Sequence, residues 1–164
     1  MDYIIREMRQ GEIPLLDDFL YEAIFIPEGY TKEVPRDIIY KEPLIYAAIK
    51  DFGQHKDDYC LVAVVDDKVV GAVWVGIADE YGHMDDETPS FSISLFKEYR
   101  GKGMGTALME KMLQHLREKG YKRASLGVNK ENYAVRMYKK VGFQIVGDGA
   151  DETEWLMVCE LNPM

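Results

Sequence analysis

Hydrophobic and polar positions change period repeatedly along the 164 residues, and each change marks an expected element. "DYIIREM" reads as a strand. "GEIPLLDDFLYEAIF" follows, with Leu15, Leu16, Phe19, Leu20 and Ala23 at helical spacing. Pro27, Pro35 and Pro43 then break "IPEGYTKEVPRDIIYKEPLIYAAIKDFG" into short helical pieces, an aromatic and irregular flap. "YCLVAVV" and "VVGAVWVGIA" predict an antiparallel hairpin over a turn at Asp66, Asp67 and Lys68. After the acidic loop "DEYGHMDDETP" comes another strand, "SFSISLF". From Gly103 to Lys119 the residues Met104, Leu108, Met112 and Leu116 recur every four positions, with Met109 and Leu113 widening the stripe. That spacing predicts an amphipathic helix stopped by Gly120. "RASLGV" is a strand, "ENYAVRMYKKV" a helix ended by Gly142, and "FQIVG" and "TEWLMVCEL" are the last two strands. The order implies an α/β chain with a twisted sheet, part antiparallel and part parallel, and helices on both faces. The length suits one domain over residues 1–164.

Composition excludes more than it identifies. With 47% hydrophobic and 30% charged residues the chain reads as a soluble globular protein, and no apolar run approaches the roughly 20 residues of a membrane span. "MDYIIREMRQ" lacks the features of a secretory leader, so a cytoplasmic protein without a membrane partner is expected. Cys60 and Cys159 sit in apolar strand-like runs and read as buried free thiols. The three histidines, His55, His83 and His115, form no ligand spacing, so no metal is expected.

The net charge of -9 is unevenly spread. Lys97 to Lys140 holds twelve Lys/Arg against four Asp/Glu, and the remainder holds eight against twenty-five. A basic segment in an acidic chain suggests one anionic ligand rather than nucleic acid, which the remainder would repel. Some of these cations, such as Lys111, Lys119 and Lys122, simply coat exposed helix faces.

Within that segment "YRGKGMGT" runs from a strand into a helix. The N–H groups at a helix start are unpaired and carry partial positive charge, which makes an anion site. Gly101, Gly103 and Gly105 lack a Cβ and allow close approach, while Arg100, Lys102 and the Thr106 hydroxyl add donors. A ligand-free glycine turn is the plainer alternative. Neither the P-loop nor the dinucleotide fingerprint fits these letters, the latter because Thr106 stands where its third glycine belongs.

"Arg100-x-x-Gly103-x-Gly105" opening a helix resembles the Arg/Gln-x-x-Gly-x-Gly/Ala signature of the GNAT superfamily of N-acetyltransferases. A second block, "LGVNKENYAVRMYKKVGF", is similar to the family's pattern in Asn132, Ala134, Tyr138, Gly142 and Phe143. The resemblance runs from about Cys60 to Phe143 and implies a mostly antiparallel sheet with a V-shaped splay between the fourth and fifth strands. It also implies that acetyl-CoA is a cosubstrate, its pyrophosphate held by Arg100, Gly101, Lys102, Gly103, Met104, Gly105 and Thr106. Ser94, Leu95 and Phe96 would pair with the pantetheine arm, a backbone N–H near Leu95 would polarise the thioester carbonyl, and Asn132 would contact the cofactor.

Ala134, Tyr138 and Val141 share one helical face. By periodicity alone Tyr138 is an ordinary core aromatic. The resemblance implies instead that its hydroxyl protonates the departing thiolate. The implied acceptor is a primary amine, of a small molecule or a peptide, which must lose a proton before attack. Family members often carry an acid at the start of the fourth strand, where this chain has Ser90. Glu87 is the first candidate for general base, followed by Glu80, His83 and Asp85, all in a loop that carries five carboxylates between Asp79 and Thr88. That loop could steer a cationic acceptor. Tyr21, Phe25, Tyr30, Tyr40 and Tyr46 are candidates for an acceptor wall, or simply for packing. Two alternatives stay open: a catalytically weak acetyl-CoA-binding sensor or interaction module, and a homodimer paired through "TEWLMVCEL".

Overall fold

The computed structural model describes residues 2–161. Seven strands, β1 (Ile4–Glu7), β2 (Tyr59–Val65), β3 (Lys68–Gly76), β4 (Ser90–Leu95), β5 (Arg123–Asn129), β6 (Gln144–Asp148) and β7 (Glu154–Glu160), build one sheet. Their spatial order is β1-β2-β3-β4-β5-β7-β6, and every neighbouring pair is antiparallel except β4–β5. This is the mixed, mostly antiparallel sheet expected. The β2–β3 hairpin closes over Asp66 and Asp67, whose φ of 49° and 62° give the primed-type turn that matches strand twist.

Both faces of the sheet are covered. Successive side chains on a strand point to opposite faces, so an unbroken apolar run such as "YCLVAVV" needs a layer on each. On one face α1 (Leu15–Ala23) and the short helices α2 (Ile38–Lys41) and α3 (Pro43–Tyr46) bring Leu16, Phe19 and Ile39 onto Val62, Ala72 and Trp74. On the other, α4 (Met104–Glu118) and α5 (Val135–Val141) meet Leu61, Val73, Phe91 and Leu126. The α4 stripe of Met104, Leu108, Met109, Met112, Leu113 and Leu116 is fully buried, as its spacing predicts. Past its end the Tyr121 N–H reaches back to the Leu116 carbonyl at 3.1 Å, beside Gly120. Cys60 and Cys159 are buried free thiols.

Three expectations shift. The first helix spans Leu15–Ala23 rather than Gly11 to Phe25 and is preceded by a 3-10 turn at Gln10–Glu12. The helix expected from Glu131 starts at Val135, because the Asn129 and Asn132 side chains accept the N–H groups of Glu131 (2.9 Å) and Ala134 (2.8 Å) and hold that stretch in turns. The C-terminal strand has no free edge, because β7 lies between β5 and β6. Among the described residues, no helix is long and apolar enough to cross a membrane.

The Glu12 carboxylate ties the 3-10 turn to β1. It accepts two hydrogen bonds from Arg6, each 2.8 Å, and the Arg9 N–H at 2.8 Å, and the Arg6 bond above all lowers its pKa to about 2. A depressed carboxyl contributes stability above its unfolded pKa of about 4.3 and loses it as pH falls through the folded value. Glu12→Gln should therefore cost about 1 kcal/mol at pH 7, roughly 2–4 °C in thermal midpoint. The gap to the parent should close between about pH 4 and pH 2.

Candidate functional site

One parallel bridge, Ser90 beside Ser125, joins β4 to β5, and the Ser125 N–H donates to the Pro89 carbonyl at 3.0 Å. Beyond it the two strands part. On its other side β4 is laddered to β3 throughout, from Gly76 opposite Ser90 to Gly71 opposite Leu95. The Phe96 N–H continues that ladder, donating to the Val70 carbonyl at 3.0 Å. Backbone groups alternate in direction along a strand, so those of Ser94 and Phe96 face β3, and those of Phe91, Ile93 and Leu95 face the split. This corrects the expectation that Ser94 and Phe96 offer backbone groups to the arm, although Ser94 still lines the groove along the split. Ser94 instead ties α1 to the sheet by donating its hydroxyl to the Phe19 carbonyl at 2.6 Å, and the Phe96 ring packs 4.9 Å from the Phe19 ring. Ile93, which sequence reasoning overlooked, joins Leu95 as a strand residue facing the gap.

At the mouth of the split Arg100 donates from Nε to the Leu95 carbonyl at 2.9 Å and pairs with the Glu22 carboxylate at 3.2 Å. Gly101, Lys102 and Gly103 are exposed. Gly103 caps α4 with φ of +89°, a conformation that costs a residue with a Cβ roughly 1–2 kcal/mol. The first bond of α4 runs from the Ala107 N–H to the Gly103 carbonyl at 3.1 Å. The N–H groups of Met104, Gly105 and Thr106 therefore have no acceptor among the described residues and form an open anion cradle. The Met104 side chain is wholly in the core, so the expectation for it narrows to its N–H.

From this cradle a groove of about 730 Å³ runs along the split past Ile93, Leu95, Asn132 and Ala134 to Tyr138. A second cleft of about 310 Å³ opens beyond, lined among others by Phe25, Glu80, Ser92, Asn129 and Glu154. The two share Ile93, Asn132 and Tyr138. Tyr138 is 9% exposed, and its hydroxyl has no partner among the described residues. Burial pushes its pKa up to about 12, so the phenol stays protonated at neutral pH. It is fixed where α5 ends: the Phe143 N–H, just past Gly142, bonds the Tyr138 carbonyl at 2.9 Å, and the Phe143 ring lies between Tyr138 and Phe91 with centroids 6.3 and 5.4 Å away.

Of the four acidic-loop candidates, the structure brings Glu80 to the cleft. Glu87 is exposed and lines neither cavity. Asp85 is turned toward Arg123 at 3.4 Å, and its pKa is lowered, first by Thr88. His83 has a buried Nδ1 without a partner and Nε2 3.9 Å from Asp86, but it does not line the cleft. Burial raises the pKa of the Glu80 carboxyl, against hydrogen bonds from Ser90 and the Gly82 N–H (3.1 Å) and the nearby His83. A loop carboxylate thus comes to the strand start where Ser90 supplies none.

A tight backbone contact holds that loop. Ser125 donates its hydroxyl to the Gly82 carbonyl at 2.6 Å. A Cβ on Gly127 would lie 2.6 Å from the Tyr81 carbonyl oxygen, and one on Gly82 would lie 2.7 Å from the Gly127 nitrogen. Only a glycine pair permits the approach. Of the proposed aromatic wall, Phe25 lines both cavities and Tyr21 lines the groove, donating its hydroxyl to the Val34 carbonyl. Tyr30 and Tyr40 are exposed, Tyr40 meets Tyr46 edge-on at 5.8 Å, and none of the three lines either cavity.

A family model described as the acetyltransferase (GNAT) family matches residues 22–143. Among curated relatives, the spermine/spermidine N(1)-acetyltransferase of Bacillus subtilis is 33% identical over 98 residues, 57% of this chain and 64% of that protein. A ribosomal protein bS18-alanine N-acetyltransferase of Haemophilus influenzae is 33% identical over 85 residues, 46% and 58% of the two chains. The matched stretches cover less than two thirds of these relatives' own lengths. The PaiA N-acetyltransferase of Thermoplasma acidophilum, solved in complex with coenzyme A, superposes with a TM-score of 0.69 at 20% identity over 98% of this chain and 99% of that one. At that identity the likeness shows a shared fold.

Gly127→Ala should force the acidic loop off β5 and cost about 1–3 kcal/mol as overpacking. The expected readouts are a thermal midpoint lowered by several degrees and faster amide exchange at residues 80–83; an unchanged exchange pattern would show that the glycine contact does not hold the loop.

Proposed function

The chain belongs to the acetyltransferase (GNAT) family, and on that premise we propose that it moves the acetyl group of acetyl-CoA directly to a primary amine, with Tyr138 as general acid and Glu80 as general base. The observation that carries this reading is the meeting of two cavities at Tyr138, with Glu80 lining the second. The sequence puts Glu87 first among the candidate bases; it is exposed and lines neither cavity, whereas Glu80 lines the second and is desolvated there, which favours Glu80.

The residues divide the work as follows. The free N–H groups of Met104, Gly105 and Thr106, with Arg100, Lys102 and the loop of Gly101 and Gly103, hold the pyrophosphate. Backbone groups of Ile93 and Leu95 take the amide-rich arm as an added strand, in the place where β5 has moved away. An N–H facing the split stabilises the charge that develops on the thioester oxygen. Asn132, at the junction of the cavities, orients the cofactor.

Three proton movements complete the transfer. An alkylammonium with a pKa of about 10.4 must lose a proton before it can attack, and a carboxylate whose pKa burial has raised is a better acceptor than a solvated one. The leaving thiolate then takes a proton from Tyr138, and the phenolate is restored by the second proton that the attacking nitrogen sheds as it becomes an amide. A phenol at about 12 is a weak acid toward a solvated thiol near 8.5, but the same dry surroundings raise the thiol too, as burial does to Cys60. The two pKa values are thereby drawn together.

Tyr138→Phe should lower kcat by about 10²–10⁴-fold with coenzyme A affinity retained. Unchanged turnover and pH profile would remove its acid role. Glu80 acts when ionised, so activity should rise with pH through a pKa above the ordinary carboxylate value of about 4.3, and Glu80→Gln should abolish that acid limb. A limb that survives the substitution would reassign the base. Gly103→Val should abolish coenzyme A binding in calorimetry, because a β-branched residue is strained at this φ; retained affinity would refute the cradle. Coenzyme A binding with no thiol release over a broad amine panel would favour the sensor-module alternative.

A further inference from the structure

We propose that the far wall of the acceptor cleft reads a second positive charge, so that the preferred acceptor is a linear amine with cationic groups at both ends of an apolar stem. This rests on the acetyl-transfer reading of the same cleft and names its substrate class.

The cleft carries three carboxylates, Glu80, Asp151 and Glu154, and no Lys or Arg lines it. They are not grouped at one point. Glu80 belongs to the loop seated on β5 at Gly127, whereas Glu154 stands opposite Asn129 in the β5–β7 ladder, two residues further along β5, about 7 Å. The faces agree. Ala124, Leu126 and Val128 point into the α4–α5 core, so Ser125, Gly127 and Asn129 point to the loop side. On β7, Met157 and Cys159 belong to the same core, which leaves Glu154 beside Asn129 on the loop side. The same cleft has an apolar wall of Ile24 and Phe25, just past α1, and Leu44 and Ile45 of α3.

Structural duties do not use up these acids. Asp151 caps its turn through Oδ1, which accepts the Thr153 N–H at 2.8 Å and the Thr153 hydroxyl at 2.5 Å, leaving Oδ2 at the rim. Glu154 is half-buried, and its carboxyl is raised by burial and by Asp151, against a hydrogen bond from Asn129. Lys130 holds Asp148 at 2.7 Å and lies 4.2 Å over the Trp155 ring, and its charge reaches Asp151, whose pKa it helps to lower, but not Glu154. A carboxylate held in partly dry surroundings without a cation is costly, and a ligand's ammonium would relieve that cost. The unpartnered Tyr138 hydroxyl, nine-tenths buried, opens into the same cleft and marks the reacting end. Glu80 and Tyr138 thus serve one amine while Glu154, with Asp151, receives the other group.

The test compares n-alkylamines, α,ω-diaminoalkanes and ω-amino acids of matched length, with thiol release measured at saturating acetyl-CoA. A diamine should exceed its monoamine at least tenfold in kcat/KM, mostly through KM, and the ω-amino acid should fall below both. Glu154→Gln, with thermal midpoint and coenzyme A affinity checked, should bring the diamine-to-monoamine ratio close to one. Equal use of both amines by the parent protein, or a ratio unmoved by Glu154→Gln, would overturn the proposal. If no amine releases thiol, the transfer reading fails, and calorimetry still decides this one: tenfold tighter binding of the diamine supports it, and equal binding overturns it.

Discussion

The site depends on one constraint: two neighbouring parallel strands bonded at only one end. The bridge between Ser90 and Ser125 fixes how β4 and β5 start together, and the full ladder of β4 to β3 prevents β4 from following β5 as it leaves. The backbone groups of Ile93 and the Leu95 N–H are left without a neighbouring strand in the middle of a sheet, where such groups are normally paired, while the Leu95 carbonyl is taken by Arg100. That deficit is what an extended, amide-bearing ligand can fill. One groove joins Gly105 in the first turn of α4, the β4 edge and the buried Tyr138.

The cleft beyond Tyr138 is acidic although the neighbouring segment is basic. Most cations between Lys97 and Lys140 coat α4, α5 and their ends, and only Lys97 and Arg100 line the groove. Beyond Tyr138 the walls come from the β3–β4 loop and the turn before β7, both carboxylate-bearing. Opposite charges at the two ends of one passage suit an anionic carrier entering from one side and a cationic acceptor from the other. Arg100 joins the halves, because its bonds to the Leu95 carbonyl and to Glu22 hold the cradle, the strand and α1 together.

Much of the fold was legible from local pattern. The α4 stripe, the β2–β3 hairpin, the Pro-broken flap and the glycine loop each depend on residues close in sequence, and hydrophobic period or turn chemistry reports such elements directly. Other features were not local. The direction of Ser94 and Phe96 follows from which β4 groups pair with β3, and a one-residue offset would have reversed it. Gly82 and Gly127 looked unremarkable 45 positions apart, and their meaning emerges only when Tyr81 is seen against β5. Glu87 and Glu80 are chemically alike and seven positions apart; the difference between a solvated carboxylate and a desolvated, partly exposed one is environment alone.

By itself the sequence determined the elements, the glycine turn before α4 and the phenol on α5, because each is written in spacing within a few turns of chain. Tertiary structure alone decided which backbone groups the split leaves open, which carboxylate enters the cleft and what stands on its far wall. Those depend on strand register and on desolvation, and both arise from contacts between residues far apart in the chain.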